Sequence, residues 1–153
     1  MSETRVFLRR AMVTDLPAIA AIERESFVDP WSEETFLQAL EVWADMFFVA
    51  EVGGEVAGFL VGGVEDTGEA VYGHICNFAV AEKYRGRGIG RLLLNRAEHQ
   101  FAVRLAEGVQ LEVRVSNTHA QAFYRKNGYQ AVFVVAGYYA NGEDAILMMK
   151  WFF

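Results

Sequence analysis

The sequence predicts an α/β fold, specifically an α+β arrangement around a mixed sheet, and three observations carry that prediction. Apolar residues recur at helical spacing before Trp43, and from Met46 the period changes to that of strands. Val109, Leu111, Val113 and Val115 alternate with Gln110, Glu112, Arg114 and Ser116, which describes a strand with one apolar and one polar face. The stretch Arg85-Gly86-Arg87-Gly88-Ile89-Gly90 joins an apolar run to Arg91-Leu92-Leu93-Leu94, as a glycine-rich loop feeding a helix does.

Taken in order, Val6-Phe7-Leu8 reads as a short first strand. Thr14 and Asp15 supply N-cap chemistry for a helix in which Pro17 fits the first turn and Leu16, Ile19, Ala20, Glu23 and Phe27 share one spacing. Asp29-Pro30-Trp31 is a break, because a residue before proline avoids the α region. Ser32 then caps a second helix with Phe36, Leu37, Leu40 and Trp43 on its apolar face. Residues 47–52, a Gly53-Gly54 turn and residues 56–64 read as a β-hairpin, and after the loop Asp66-Thr67-Gly68-Glu69 another strand covers residues 71–81.

A helix over about residues 88–106 follows the glycine-rich loop, ended by Gly108, and leads into the alternating strand. Asn117 caps a last helix carrying Ala120, Phe123 and Tyr124, and Gly128 stands where a left-handed C-cap is wanted. Residues 129–138 and 145–151 form two strands around Asn141-Gly142, a dipeptide favoured in tight hairpin turns. The order is β-α-α-β-β-β-α-β-α-β-β. With no linker or repeat, residues 1–153 are expected to be one domain.

Composition narrows the function. A chain of 153 residues with 53% hydrophobic content can bury a proper core, so it is expected to be globular. Its formal charge of −6 argues against a nucleic-acid backbone as the main partner and suits a basic peptide or an amine. Cys76 is the single cysteine, expected to be a small buried hydrophobe rather than a catalytic thiol, and it points to a reducing compartment. Residues 1–5 contain no apolar signal core, and the longest apolar run, residues 131–140, is too short to span a bilayer. A cytoplasmic protein without a membrane partner is expected. His74, His99 and His119 lack ligand spacing, so no metal is implied.

The loop over residues 85–90 presents backbone N–H groups at a helix start, and its missing Cβ atoms let a phosphate approach. A tight connection with a solvated arginine pair is the structural alternative. Among the polar residues, Glu112 is either a general base or an Arg114 salt-bridge partner on a solvated strand face. His74 is either a proton acceptor or a histidine satisfied in the core, and Tyr124 either a functional phenol or part of a helical apolar face. Glu65, Asp66 and Glu69 read as a solvated acidic face, with attraction of basic peptides as the other reading.

The element order, together with residues 80–90, resembles the GCN5-related N-acetyltransferases (GNAT). Their acetyl-CoA loop runs Arg or Gln, two residues, Gly, one residue, Gly or Ala; Arg85, Gly88 and Gly90 occupy those places. Leu111-Glu112-Val113-Arg114-Val115-Ser116-Asn117, Ala122-Phe123-Tyr124 and residues 137–145 are similar to the protein N-terminal acetyltransferase branch, notably the RimI-type ribosomal-protein-alanine enzymes and their archaeal relatives. The likeness covers nearly the whole chain. Glu82 departs from it, standing where many members have proline.

This resemblance implies a GNAT acyl-CoA N-acyltransferase fold and acetyl transfer by direct attack in a ternary complex. Protein or peptide N-termini, ribosomal proteins among them, are the expected acceptors, and a monomer or weak dimer the expected form. An α-amine with a pKa of about 7.7–8.0 is already roughly a tenth neutral at pH 7, whereas a lysine at about 10.4 is under roughly one part in a thousand, so an N-terminal acceptor needs only modest base help. Glu112 takes the base position, with His74 near the amine and Tyr124 beside the coenzyme sulfur. For acetyl-CoA the family implies strand-edge backbone at Phe78, Ala79 and Val80, where the strand bulges, the loop Arg85, Gly86, Arg87, Gly88, Ile89 and Gly90, and Asn117. For the acceptor it implies Phe27, Pro30 and Trp31, with Tyr138 and Tyr139 holding peptide backbone. Acetylation of lysine or a small amine is one rival reading, and a non-catalytic acetyl-CoA-binding interaction module is another.

Overall fold

In the computed structural model, which describes residues 5–153, seven strands hydrogen-bond in the order β1-β2-β3-β4-β5-β7-β6 and four α-helices punctuate them. The elements are β1 (Val6–Arg10), α1 (Leu16–Ser26), α2 (Glu33–Val42), β2 (Phe47–Val52), β3 (Glu55–Asp66), β4 (Val71–Val80), α3 (Ile89–Val103), β5 (Gly108–Arg114), α4 (Thr118–Lys126), β6 (Gln130–Val135) and β7 (Ala145–Trp151). This is the expected order and a mixed α/β sheet. Of the stretch without a signal core, residues 1–4 lie outside the described residues. Two compact units make up the chain, Met1–Gly63 with Cys76–Gln100 and Val64–Ile75 with Phe101–Phe153.

In the first unit, β2 pairs antiparallel with β1 and β3. Its alternating side chains are apolar on both sides, and Phe47, Phe48, Val49 and Ala50 are all buried. One side carries a cluster of Leu16, Ile19 and Ile22 from α1, Phe36 from α2, and Phe47, Val49, Phe59 and Val61 from the sheet. Phe36 is its hub: ring centroids of Trp31, Phe59 and Phe47 lie 5.2, 5.3 and 6.1 Å away. Gly58 of β3 has no room for a side chain, since an added Cβ would stand 3.0 Å from the Ala79 carbonyl and 3.2 Å from a Leu93 methyl of α3. Ser32 caps α2 as expected, accepting from the Thr35 N–H at 3.2 Å.

Asp15 acts differently from the expected cap. Its carboxylate accepts the Met12 N–H at 2.8 Å and both guanidinium amines of Arg9 at 2.8 Å, while Arg9 Nε reaches Glu51 at 3.1 Å. Burial opposes the Asp15 charge, but the Arg9 bonds and the Met12 N–H outweigh it and hold the carboxyl below its usual range.

The second unit is organised by β5. It runs parallel to β4, with Tyr72 to Ile75 opposite Gly108 to Leu111, and antiparallel to β7, which pairs on its other edge with β6. Gly108 does not end α3, as the sequence suggested. The helix ends at Val103, the chain turns left-handed at the exposed Leu105 (φ 64°), and Gly108 is the first residue of β5. A Cβ there would lie 2.4 Å from the Lys150 carbonyl of β7, so glycine is required by the strand pairing. Gly73 has the same logic, since an added Cβ would meet the Phe101 ring at 2.4 Å.

Two further expectations are corrected. The last two strands are not a tight hairpin: β6 stops at Val135, and Asn141-Gly142 closes a turn inside a longer connection, with the Gly142 N–H donating to Tyr139 O at 2.8 Å. Gly137 is left-handed there, and Asp144 takes its N–H at 2.8 Å, which bends the chain out of strand geometry before Tyr138. Cys76 is exposed rather than buried, because β4 turns Ile75 inward and its neighbour to the other face.

Replacing Gly108 by alanine should cost about 1–3 kcal/mol in urea unfolding, because the Lys150 carbonyl must give way. Asp15→Asn should cost about 2 kcal/mol at pH 7. A depressed folded-state pKa gives stability that is present above the unfolded carboxylate value of about 3.9 and lost as pH falls through the folded one, so the difference from wild type should shrink in melts below about pH 4.

Candidate active site

The glycine-rich loop belongs to the first unit. After β4 a 3-10 turn over Glu82–Tyr84 leads to Gly86 and Gly88, both left-handed at φ 79° and 78°. A Cβ at either would meet nothing within 4 Å, so glycine is dictated by the backbone, and the space beside it is open. The helix begins at Ile89, and its first bond from the loop side is Leu92 N–H to Gly88 O at 3.2 Å. The N–H groups of Ile89, Gly90 and Arg91 thus sit at the positive end of the α3 dipole. Open backbone, left-handed glycines and a helix start fit a diphosphate. Arg85 is turned back onto the chain, donating from Nε to Val80 O at 3.1 Å and from Nη2 to Ser26 Oγ at 3.4 Å, and Arg87 lies 5.4 Å over the Tyr84 ring. Both arginines brace the loop, and both remain exposed.

β4 pairs with β5 as far as Ile75, opposite Leu111. The strand runs unbroken to Val80, the Phe78 N–H is taken by the side-chain oxygen of Asn77 at 2.9 Å, and Val80 O by Arg85. Ala79 lends its carbonyl to the close approach at Gly58.

Phe27 and Trp31 are half-buried and Pro30 is exposed. Their segment is fastened by Glu23, which the sequence reading placed only among the residues at helical spacing in α1. Glu23 is 2% exposed; it accepts the Trp31 N–H at 2.8 Å and the Asn77 side-chain amide at 2.8 Å. Desolvation pushes its carboxyl up, against those two donors, and Asp29 adds to the rise. A carboxylate on the inward spacing of a helix was the signal that could have found it.

Glu112, His74 and Tyr124 belong to the second unit; Glu112 and His74 meet there, and Tyr139 is within electrostatic reach of both Glu112 and Tyr124. Glu112 Oε2 lies 2.8 Å from His74 Nε2, so the Arg114 salt bridge considered for Glu112 does not form. Glu112 and Arg114 share one face of β5, but each takes its partner from another segment of the chain. Arg114 Nη1 reaches Glu143 at 3.0 Å and Asn141 at 3.1 Å, and its guanidinium sits 4.0 Å over the Tyr139 ring. Ser116, and then Arg114, hold the Glu143 carboxyl below its usual range. This clamp fixes the Tyr138-Tyr139 connection, whose rings stand 5.0 Å apart in an edge-to-face pair.

The Tyr139 phenol is pushed up to about 12 by burial first and then by Tyr138, with Glu112 and Glu143 adding and Arg114 opposing. Burial, and secondarily Tyr139, raises the Tyr124 phenol further, so Tyr124 keeps its proton at neutral pH and retains an O–H able to donate. Its ring packs 5.5 Å from Phe123 and 5.8 Å from Tyr129. Asn117 caps α4, its side-chain oxygen accepting the Ala120 N–H at 3.1 Å. Among the described residues there is no cluster suited to a metal ion, and no helix is long and apolar enough to cross a membrane.

Likeness to known proteins shows the family of the chain. The model of the acetyltransferase (GNAT) family matches residues 16–129. An N-alpha-acetyltransferase of Sulfurisphaera tokodaii is 39% identical over 150 residues, covering 92% of this chain and 90% of the relative. A putative ribosomal protein bS18-alanine N-acetyltransferase of Bacillus subtilis is 34% identical over 149 residues, covering 95% of each. Among solved structures, Ard1 from Thermoplasma volcanium superposes with a TM-score of 0.90 at 27% identity, covering 95% of this chain and 97% of that one. With a family model spanning most of its length, and an N-alpha-acetyltransferase 39% identical over nearly all of it, this chain belongs to the GNAT family and is an acetyl-CoA-dependent N-acetyltransferase.

Proposed function

We propose that the enzyme acetylates the α-amino groups of protein N-termini, and the observation that carries this reading is the 2.8 Å hydrogen bond between Glu112 and His74. A carboxylate held by an imidazole is suited to removing a proton from an amine that is already partly neutral, which an α-amine is and a lysine is not. The name of the Sulfurisphaera relative supports an α-amine acceptor, and that of the Bacillus relative supports ribosomal proteins within the acceptor class.

Acetyl-CoA, when bound, supplies an activated acyl carbon and a thiolate leaving group. The loop from Arg85 to Gly90 holds its diphosphate through the backbone N–H groups at the start of α3, with Arg85 and Arg87 adding positive charge. Phe78, Ala79 and Val80 supply backbone edge to its pantetheine arm, and Asn117 adds a polar contact while capping α4. Glu112 accepts the amine proton, with His74 as its hydrogen-bond partner. Tyr124, kept protonated by burial, donates to the departing sulfur. Tyr138 and Tyr139 hold the backbone of the first acceptor residues, and Phe27, Pro30 and Trp31 flank the first side chain. A cytoplasmic monomer or weak dimer, its whole length one transferase domain, fits a chain with a single cysteine.

The acceptor class is read directly by mass spectrometry of paired peptides, one with a free N-terminus and no lysine, the other N-blocked with an internal lysine. Acetylation of the first alone is expected, and equal or preferred modification of the second would overturn the α-amine reading. Glu112→Gln should lower kcat by about 10²–10⁴-fold while acetyl-CoA affinity measured by calorimetry stays nearly unchanged.

A further inference from the structure

Glu112 and His74 do not end the hydrogen-bonded line they begin. His74 Nδ1, the ring nitrogen facing away from Glu112, lies 3.1 Å from Glu65 Oε1, and Gln110 Nε2 donates to Glu65 Oε2 at 2.8 Å. Three strands contribute: Glu65 stands near the end of β3, His74 in β4, and Gln110 and Glu112 in β5, with His74 directly opposite Gln110 in the parallel register. Accessibility rises along the line, the side chains of Glu112, His74 and Glu65 being 16%, 20% and 51% exposed. Glu65 is exposed, as expected of a solvated acidic face, but it is also engaged on both of its oxygens. One of its oxygens is committed to the imidazole and the other to Gln110.

The chemistry calls for such a line. An N-terminal ammonium that becomes an acetamide forms one N–C bond, while the C–S bond of the thioester breaks, and the nitrogen sheds two protons. One ends on the sulfur. The other has no acceptor in the products and must reach water once in every turnover at a pH where the amine arrives charged. We propose that Glu112, His74 and Glu65 form the exit relay for that proton, with Glu65 as the terminal group that exchanges it with solvent. A proton passed from Glu112 to Nε2 is matched by one leaving Nδ1 to Glu65, which leaves the imidazole neutral in the opposite tautomer, and a flip of the ring between turnovers restores the Nδ1–H form. Gln110 positions Glu65 by donating to the oxygen that does not face the ring. Among the charged and titratable groups facing the line are Glu65 from β3 and Glu112 from β5, with the Tyr139 phenol within electrostatic reach of Glu112; Arg114 is paired with Glu143.

This proposal rests on Glu112 serving as the base, and the test separates the two. In the full-length enzyme, Glu65→Gln retains an acceptor for the ring nitrogen but cannot take the proton. With acetyl-CoA and peptide saturating, its kcat in a weakly buffered medium should fall about 10-fold across pH 6–8, both KM values should stay at wild type, and added imidazole should restore the rate. Glu65→Asp, which keeps an acid, should recover much of the loss without imidazole. A Glu65→Gln enzyme with wild-type kcat and pH profile would overturn the relay, as would a loss that imidazole does not restore or one confined to the peptide KM. Glu112→Gln is run in parallel: if it is impaired while Glu65→Gln is not, the base stands and the relay falls, and if neither is impaired the base assignment itself falls.

Discussion

The hydrogen bond between Glu112 and His74 is the constraint on which the second unit is built. It joins neighbouring parallel strands, so it exists only in one register. A slip of β5 by one residue would carry Glu112 to the opposite face and bring an apolar neighbour to the imidazole. Gly108 and Gly73 secure that register by close approach, the first to the Lys150 carbonyl and the second to the Phe101 ring. Two residues along β5 the same face carries Arg114, whose bonds to Glu143 and Asn141 and stacking on Tyr139 tie the Tyr138-Tyr139 connection to the strand that bears Glu112. The Glu112 contact and the Arg114 clamp are thus consequences of one strand's alternation.

The first unit is governed by backbone rather than by side-chain pairing at its glycine-rich loop. There the governing features are the left-handed glycines at 86 and 88, the start of α3, and two arginines that fasten the loop. The same unit braces the Phe27 to Trp31 segment through the buried carboxylate of Glu23, so an aromatic loop is held by a polar bond from beneath as well as by the packing of Trp31 on Phe36. A buried carboxylate with both oxygens occupied costs desolvation, and here that cost fixes two segments, the loop and β4, at once.

What was legible in the sequence was whatever depends on local pattern. The order of elements, the caps at Ser32 and Asn117, the left-handed Gly128 and the strand-loop-helix junction follow from periodicity and turn chemistry within a few residues. Partnerships across the sheet were not legible, since nothing in the spacing of Glu112 and Arg114 says that each will choose a partner far along the chain. Glu65, Gln110, Glu23 and Asn77 acquired their roles in the same way. The errors have the same origin. Gly108 looked like a helix stop because glycine usually is one, but the carbonyl of Lys150 was invisible; Cys76 looked buried because its neighbours are apolar, but the pleat turns it outward.

The chemistry assigned to β5 requires that Glu112 and His74 act as one unit, which a double-mutant cycle on kcat/KM measures directly. Compared at one pH, Glu112→Gln, His74→Gln and the double variant should be strongly non-additive, the double variant being little slower than the more impaired single one. If the two losses simply multiply, the residues work independently, and the hydrogen bond between them is packing rather than mechanism.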